Sequence, residues 1–175
     1  MELGVLIVGT AAMTLTAQIQ IPLEPVPITL QTLTLMVMSA YLGARLGALS
    51  QVLYLLAGAS GLPVFASFKA GPAVLFGPTG GYLLAFIPAA FLIGYLAEKG
   101  WDRTLVKSVG MMLLGCLIIW TMGTLQLSLY VGGLSQAFFA GVLPFLPGDA
   151  IKIAVASGVL PGLWALFGPG LPKTG

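Results

Sequence analysis

Asp149 and Lys152 are the ionisable residues whose types and spacing first suggest chemistry. They stand three apart at the start of an apolar run, so on a helix they share one face. Charged side chains within a membrane segment are costly and by default mark a functional site. A structural alternative has Asp149 capping the helix while Lys152 neutralises it. However, Lys152 lies in the first helical turn, where the macrodipole disfavours a cation. Some anion must therefore offset it, whether Asp149, a ligand carboxylate or both. A second candidate is Gly77-Pro78-Thr79-Gly80-Gly81-Tyr82, which leads straight into another apolar run. Thr79 is placed to cap that helix, Gly80 and Gly81 permit close backbone approach, and free N–H groups there, up to Tyr82, suit an anion. Gln31 falls about one turn into a further segment and offers both a donor and an acceptor. Together these groups suit the gripping of a small polar ligand.

The residues that are missing narrow the chemistry. The chain has no His and no Asn, and Cys116 is its single cysteine. Nucleophilic triads using His, His-ligated metals and disulfides are excluded, so no catalytic residue and no metal site is assigned. The phosphate-loop pattern G-x-x-x-x-G-K-[ST] is also missing. Holding or moving a substrate fits this inventory better than transforming one.

The elements that must position these groups follow from the composition. Of 175 residues, 58% are hydrophobic and only 7% charged, and the mean hydropathy is +1.06. A soluble domain carries about 25% charged residues, so an ordinary cytosolic enzyme is excluded, as is disorder. A net charge of +2 gives no argument for nucleic acid. With roughly 20 residues per membrane helix, the length predicts an all-α membrane protein of six transmembrane helices in one domain, residues 1–175. Gly, Pro and charged residues divide the chain into spans at about 3–20, 28–44, 46–60, 80–97, 105–130 and 149–167. The second and third are short and separated only by Gly43-Ala44-Arg45. One bent helix in a chain of five is the alternative, but the arginine between them is hard to bury. The first segment carries Glu2 and no leading Lys or Arg, which reads as a retained helix rather than a cleaved leader.

Placing the N-terminus in the cytoplasm puts Arg45, Lys99, Arg103, Lys107 and Lys173 inside, against Lys69 outside. Six spans then return the C-terminus to the cytoplasm. The final Leu171-Pro172-Lys173-Thr174-Gly175 matches a sortase-type pentapeptide without the tail that should follow, and reads as coincidence or a remnant. In this orientation the chemically loaded stretches all face outward. Irregular backbone at membrane depth must be buried or line a cavity, which predicts a compact bundle with a ligand pocket on the extracellular side. Tyr41, Tyr54 and Trp120 read as packing or interface residues. Glu24 and Lys69 read as solvated loop charges, and Gln18, Gln51 and Gln126 as hydrogen-bonders between helices.

Four stretches, in order, resemble the BioY family: Val26-Pro27-Ile28-Thr29-Leu30-Gln31-Thr32, Gly61-Leu62-Pro63-Val64-Phe65, Gly77-Pro78-Thr79-Gly80-Gly81-Tyr82 and Pro144-Phe145-Leu146-Pro147-Gly148-Asp149-Ala150-Ile151-Lys152. The similarity runs from about residue 3 to 167. Members of that family are the biotin-capturing S components of energy-coupling factor transporters in the prokaryotic cell membrane. The resemblance implies a six-helix S component that binds biotin from outside. Its partners would be the lipid bilayer, a membrane scaffold protein and two ABC-type ATPases. Biotin is then the transported ligand, the partner ATPases use the ATP, and no cofactor is needed. The family's usual Ala-x-x-x-Ala pattern on the first helix is missing between Gly4 and Ala11, although Gly4, Gly9, Ala12 and Thr16 still form a small-residue surface.

On that resemblance, Asp149 would accept from the ureido N–H groups and Lys152 would donate to the ureido carbonyl. Gln31 would supplement either end, and the helix start from Thr79 to Tyr82 would hold the valerate carboxylate. The reverse placement, with Lys152 on the valerate, remains open. Phe65, Phe86 and Phe145 would wall the thiophane ring. Two other classes compete with this reading. One is a standalone carrier for a small carboxylate-containing metabolite, driven by an ion gradient with Asp149 as coupling group. The other is an intramembrane enzyme using Asp149 and Lys152 as a catalytic pair.

Overall fold

The computed structural model describes residues 2–167. The pentapeptide 171–175, Lys173 and the position of the C-terminus lie outside the described residues. The helices are α1 (Glu2–Ala17), α2 (Gln31–Ala59), α3 (Gly80–Glu98), α4 (Leu105–Val131), α5 (Leu134–Gly141) and α6 (Leu146–Phe167). Between α1 and α2 a two-residue antiparallel ladder joins β1 (Gln20–Ile21) to β2 (Ile28–Thr29), pairing Gln20 with Thr29 and Ile21 with Ile28. The first and second spans are consequently shorter than the expected 3–20 and 28–44. The residues expected at their ends belong instead to the ladder and its Pro-rich turn.

The largest departure from ordinary helix geometry lies within α2. Gly43 has φ 81° and ψ 178°, a backbone state that costs glycine little and other residues much. The chain reverses there. A Cβ on Gly47 would sit 3.2 Å from the Cα of Ser39, whereas residues eight apart in a straight helix are about 12 Å apart. The Gln31 amide likewise reaches the Tyr54 hydroxyl at 2.8 Å; along a straight helix those residues would be separated by about 35 Å. Residues 31–42 and 44–59 are therefore two antiparallel arms. Glu98, at the end of α3, accepts a hydrogen bond from the Ala44 N–H at 2.8 Å, placing a carboxylate where the second arm begins.

Measured by length and apolarity alone, α2, α3 and α4 could each cross a bilayer. A fourth candidate is α5 with residues 146–160, bent by 54°. Leu3, Ile7, Val8 and Leu15 on α1 and Leu117, Leu125 and Leu129 on α4 are exposed. In lipid such side chains need no cover, and helices associate instead through close packing of small residues. Leu35, Met36, Ala89, Ala90, Ile93, Met111 and Met112 fill the interior between α2, α3 and α4. The chain is an all-helical, multi-pass membrane protein.

Helix α6 begins at Leu146, almost a turn before the expected Asp149. Pro147 and Gly148 thus open the helix rather than end a loop, and Pro suits a first turn whose N–H groups lack intrahelical partners. The short α5 was not foreseen; Gly132 and Gly133, both at positive φ, turn the chain out of α4 into it.

Candidate substrate-binding site

Because α6 starts at Leu146, Asp149 lies within its first turn and does not cap it. Its own N–H instead donates to the Phe145 carbonyl at 2.8 Å. Lys152, one turn on, donates from Nζ to Asp149 Oδ1 at 3.0 Å and to Thr32 Oγ1 at 2.9 Å. Thr32 in turn donates to Asp149 Oδ1 at 3.4 Å. The indole N–H of Trp120, from α4, donates to the other carboxylate oxygen at 3.0 Å. Three helices thus converge on one buried ion pair, whose side chains are 10% (Lys152) and 2% (Asp149) exposed. Taking both charges out of water costs several kcal/mol, which mutual attraction and these hydrogen bonds must offset.

That cluster forms part of the wall of a cavity of about 740 Å³, a figure that includes its open mouth. Phe65, Phe86 and Phe145, the aromatic residues expected as walls, all line it. The Phe145 ring stacks on Tyr82, centroids 5.9 Å apart and planes 10° from parallel. Lys69, an exposed loop charge as its position in the sequence suggests, also lines the cavity.

The hydrogen-bond inventory shows what this wall has left to offer. An ammonium has three donors, and Lys152 uses two of them, on Thr32 and Asp149. A carboxylate has about four acceptor positions. Bonds from Lys152, Thr32 and Trp120 occupy three of those on Asp149. One donor remains on Lys152 and one acceptor on Asp149 Oδ2, with almost no net charge on the pair.

The other expected site residues are placed differently. Gln31 lines the cavity, but its amide donates to Tyr54 Oη and its carbonyl accepts from Thr29 Oγ1 at 3.1 Å. Tyr54 passes the chain on, donating to the Val64 carbonyl at 3.1 Å. Thr79 lines the cavity at the head of α3, yet its side chain caps no backbone N–H. Tyr82 contributes its ring, while its hydroxyl donates to the Gly141 carbonyl at 2.8 Å. Gly80 and Gly81 do not line the cavity. A Cβ on Gly81 would meet the Met122 carbonyl at 2.5 Å and Gln126 Cβ at 2.8 Å, and one on Gly80 would strike the Leu75 carbonyl. The close approach these glycines permit is therefore to protein. Gln126 holds the loop here, donating to the carbonyls of Leu75 and Gly77 at 2.9 and 2.7 Å.

Two residues of the cluster escaped the sequence reading. Trp120 was expected only to pack, and nothing local in its apolar run indicates otherwise. Thr32 stands next to Gln31 in a stretch already singled out, but its partner lies 120 positions away. Among the described residues no group of His, Cys, Asp and Glu could hold a metal.

Comparison with known proteins extends this picture. The BioY family model matches residues 1–169. The chain is 45% identical over 148 residues to the biotin transporter BioY of Thermotoga maritima, covering 85% of this chain and 86% of that protein. It is 39% identical over 155 residues to the probable biotin transporter BioY of Pyrococcus horikoshii, covering 89% and 91%. Its fold matches the crystal structure at 2.1 Å of the S-component for biotin from an ECF-type ABC transporter. That match has a TM-score of 0.82 and 28% identity, and covers 94% of this chain and 90% of that one.

Proposed function

The chain belongs to the BioY family, and from that premise we propose how its cavity works. It is a transporter subunit, the S component that captures biotin, and not an enzyme. The observation that carries the binding mode is the single donor and single acceptor left on Lys152 and Asp149. A ureido ring presents a carbonyl beside an N–H, the complement of that pair. Asp149 accepts the N–H and Lys152 donates to the carbonyl. A valerate carboxylate set there would gain Lys152 but face Asp149. The ureido end therefore enters first, and the carboxylate points toward Lys69 and the Thr79 hydroxyl, which also line the cavity. Phe65, Phe86 and the Tyr82–Phe145 stack enclose the thiophane ring. Gln31 positions Tyr54 and the adjoining loop, and Gly80 and Gly81 let the head of α3 seat against α4.

Residues 1–175 form a single domain crossing the membrane six times: α1, the two arms of α2, α3, α4, and the bent α5–α6 pair. Both termini face the cytoplasm and the cavity faces outward. This orientation rests on Arg45, Lys99, Arg103 and Lys107 clustering at the inward turns. The protein resides in the cell membrane and works with a scaffold protein and two ABC-type ATPases that supply the energy.

Titration of biotin into the purified chain tests the binding role, with tight one-site binding expected and no binding refuting it. Cysteine placed at Lys69 should react with a membrane-impermeant reagent from outside intact cells, and cysteine at Lys99 should not. The reverse pattern would invert the topology.

A further inference from the structure

The segment from Phe65 to Lys69 supplies Phe65, Ala66, Ser67 and Lys69 to the cavity wall, with Phe65 buried and Ser67 to Lys69 exposed. Its backbone is unusual. Ser67 and Phe68, neither of them glycine, have φ of 58° and 55°. L-residues enter this left-handed region at a cost, so consecutive examples persist only where surrounding contacts hold them. Those contacts come from Gln18, just after α1, and from Gln20 in β1. Gln18 Nε2 donates to the Phe65 carbonyl at 3.0 Å, and Gln18 Oε1 accepts from the Phe68 N–H at 3.1 Å. Gln20 Nε2 donates to Ser67 Oγ at 2.6 Å. Gln18 also donates to Thr14 O at 3.3 Å, which ties its amide to the last turn of α1. Neither glutamine lines the cavity.

We propose that Gln18, seconded by Gln20, is a positioning residue that latches the segment 65–69 into the cavity wall and thereby sets how long biotin stays bound. The inference rests on the reading of this cavity as the biotin site. Gln18 brackets the left-handed pair, with one bond before it at Phe65 and one at its end on Phe68. Breaking both lets Ser67 and Phe68 relax to ordinary backbone angles. Phe65 and Lys69 then leave the wall together. Bound ligand then loses its contacts with both residues, and losses of this kind fall mainly on dissociation rather than association. The latch therefore acts on the dissociation rate.

The test follows labelled biotin leaving and entering the full-length protein in detergent or nanodiscs. Gln18→Ala should raise koff roughly tenfold, the combined loss of two net hydrogen bonds, with kon changed less than about twofold. Gln18→Glu keeps the acceptor for Phe68 N–H and loses the donor to Phe65, so its koff should fall between wild type and Gln18→Ala. Gln20→Ala should raise koff about threefold, one exposed bond. Should Gln18→Ala fail to fold, the other two variants decide the matter. A merely structural role would reduce the number of active sites or the melting temperature of the free protein and leave koff of the surviving sites at the wild-type value. That outcome overturns the latch. Wild-type protein that binds no biotin would instead overturn the reading of the cavity, and the latch with it.

Discussion

Removing the charge of Lys152 should separate its contribution to stability from its contribution to binding. In Lys152→Met the side chain keeps much of its volume, but Asp149, 2% exposed, loses its counter-charge and retains only Thr32 and Trp120. Breaking one partner of a buried pair typically costs about 3–5 kcal/mol. Asp149→Leu should cost a similar amount, because it strands the Lys152 ammonium. Replacing both residues removes the stranded charge, and such apolar substitutions of buried pairs are often neutral or stabilising. The double variant Asp149→Leu/Lys152→Met should therefore regain most of the stability that each single variant loses. Binding should not follow. A charge-assisted hydrogen bond to the ligand is worth about 1.5–3 kcal/mol, so Lys152→Met should weaken biotin roughly 10- to 150-fold, and the double variant at least as much. Thermal unfolding and calorimetric titration on the same four proteins complete the cycle. Wild-type affinity in the double variant would refute the reasoning, as would unchanged stability in both single variants.

Three further outcomes follow from the same geometry. Trp120→Phe keeps the wall but removes the N–H to Asp149; biotin affinity should fall about tenfold, and the biotin-induced change in tryptophan fluorescence should disappear. Gly81→Ala forces a Cβ against the Met122 carbonyl and should cost about 1–3 kcal/mol of stability through overpacking. The affinity of its folded fraction should be unaltered, as equilibrium binding to the active fraction would show. Gly58→Ala drives a Cβ into the ring of Phe65, a cavity wall residue, so stability and biotin affinity should fall together in melting and titration experiments.

The sequence made the ends of the site legible and hid its middle. Asp149 and Lys152 stood out because ionisable residues in an apolar run are conspicuous, and their three-residue spacing alone puts them together. Phe65, Phe86 and Phe145 reached the cavity as expected. Thr32 and Trp120 were invisible because each bonds across the bundle, and only the packing of α2, α4 and α6 brings them to Asp149. Gly80 and Gly81 misled in the opposite direction. A glycine pair before a helix reads equally well as room for a ligand or for a neighbouring helix, and only the positions of Met122, Leu75 and Gln126 decide between them. The reversal at Gly43 was foreshadowed by Gly43-Ala44-Arg45, which separates two runs each too short to be a comfortable span. The latch was beyond reach, since Gln18 and Phe68 are 50 positions apart.

The most direct test compares biotin with its diamine derivative, in which the ureido carbonyl is gone and both nitrogens are amines, by titration calorimetry against the wild-type chain. Biotin should bind at one site with measurable heat, and the diamine at least a hundredfold more weakly, because it offers Lys152 no carbonyl. Equal affinity for the two ligands would contradict the account.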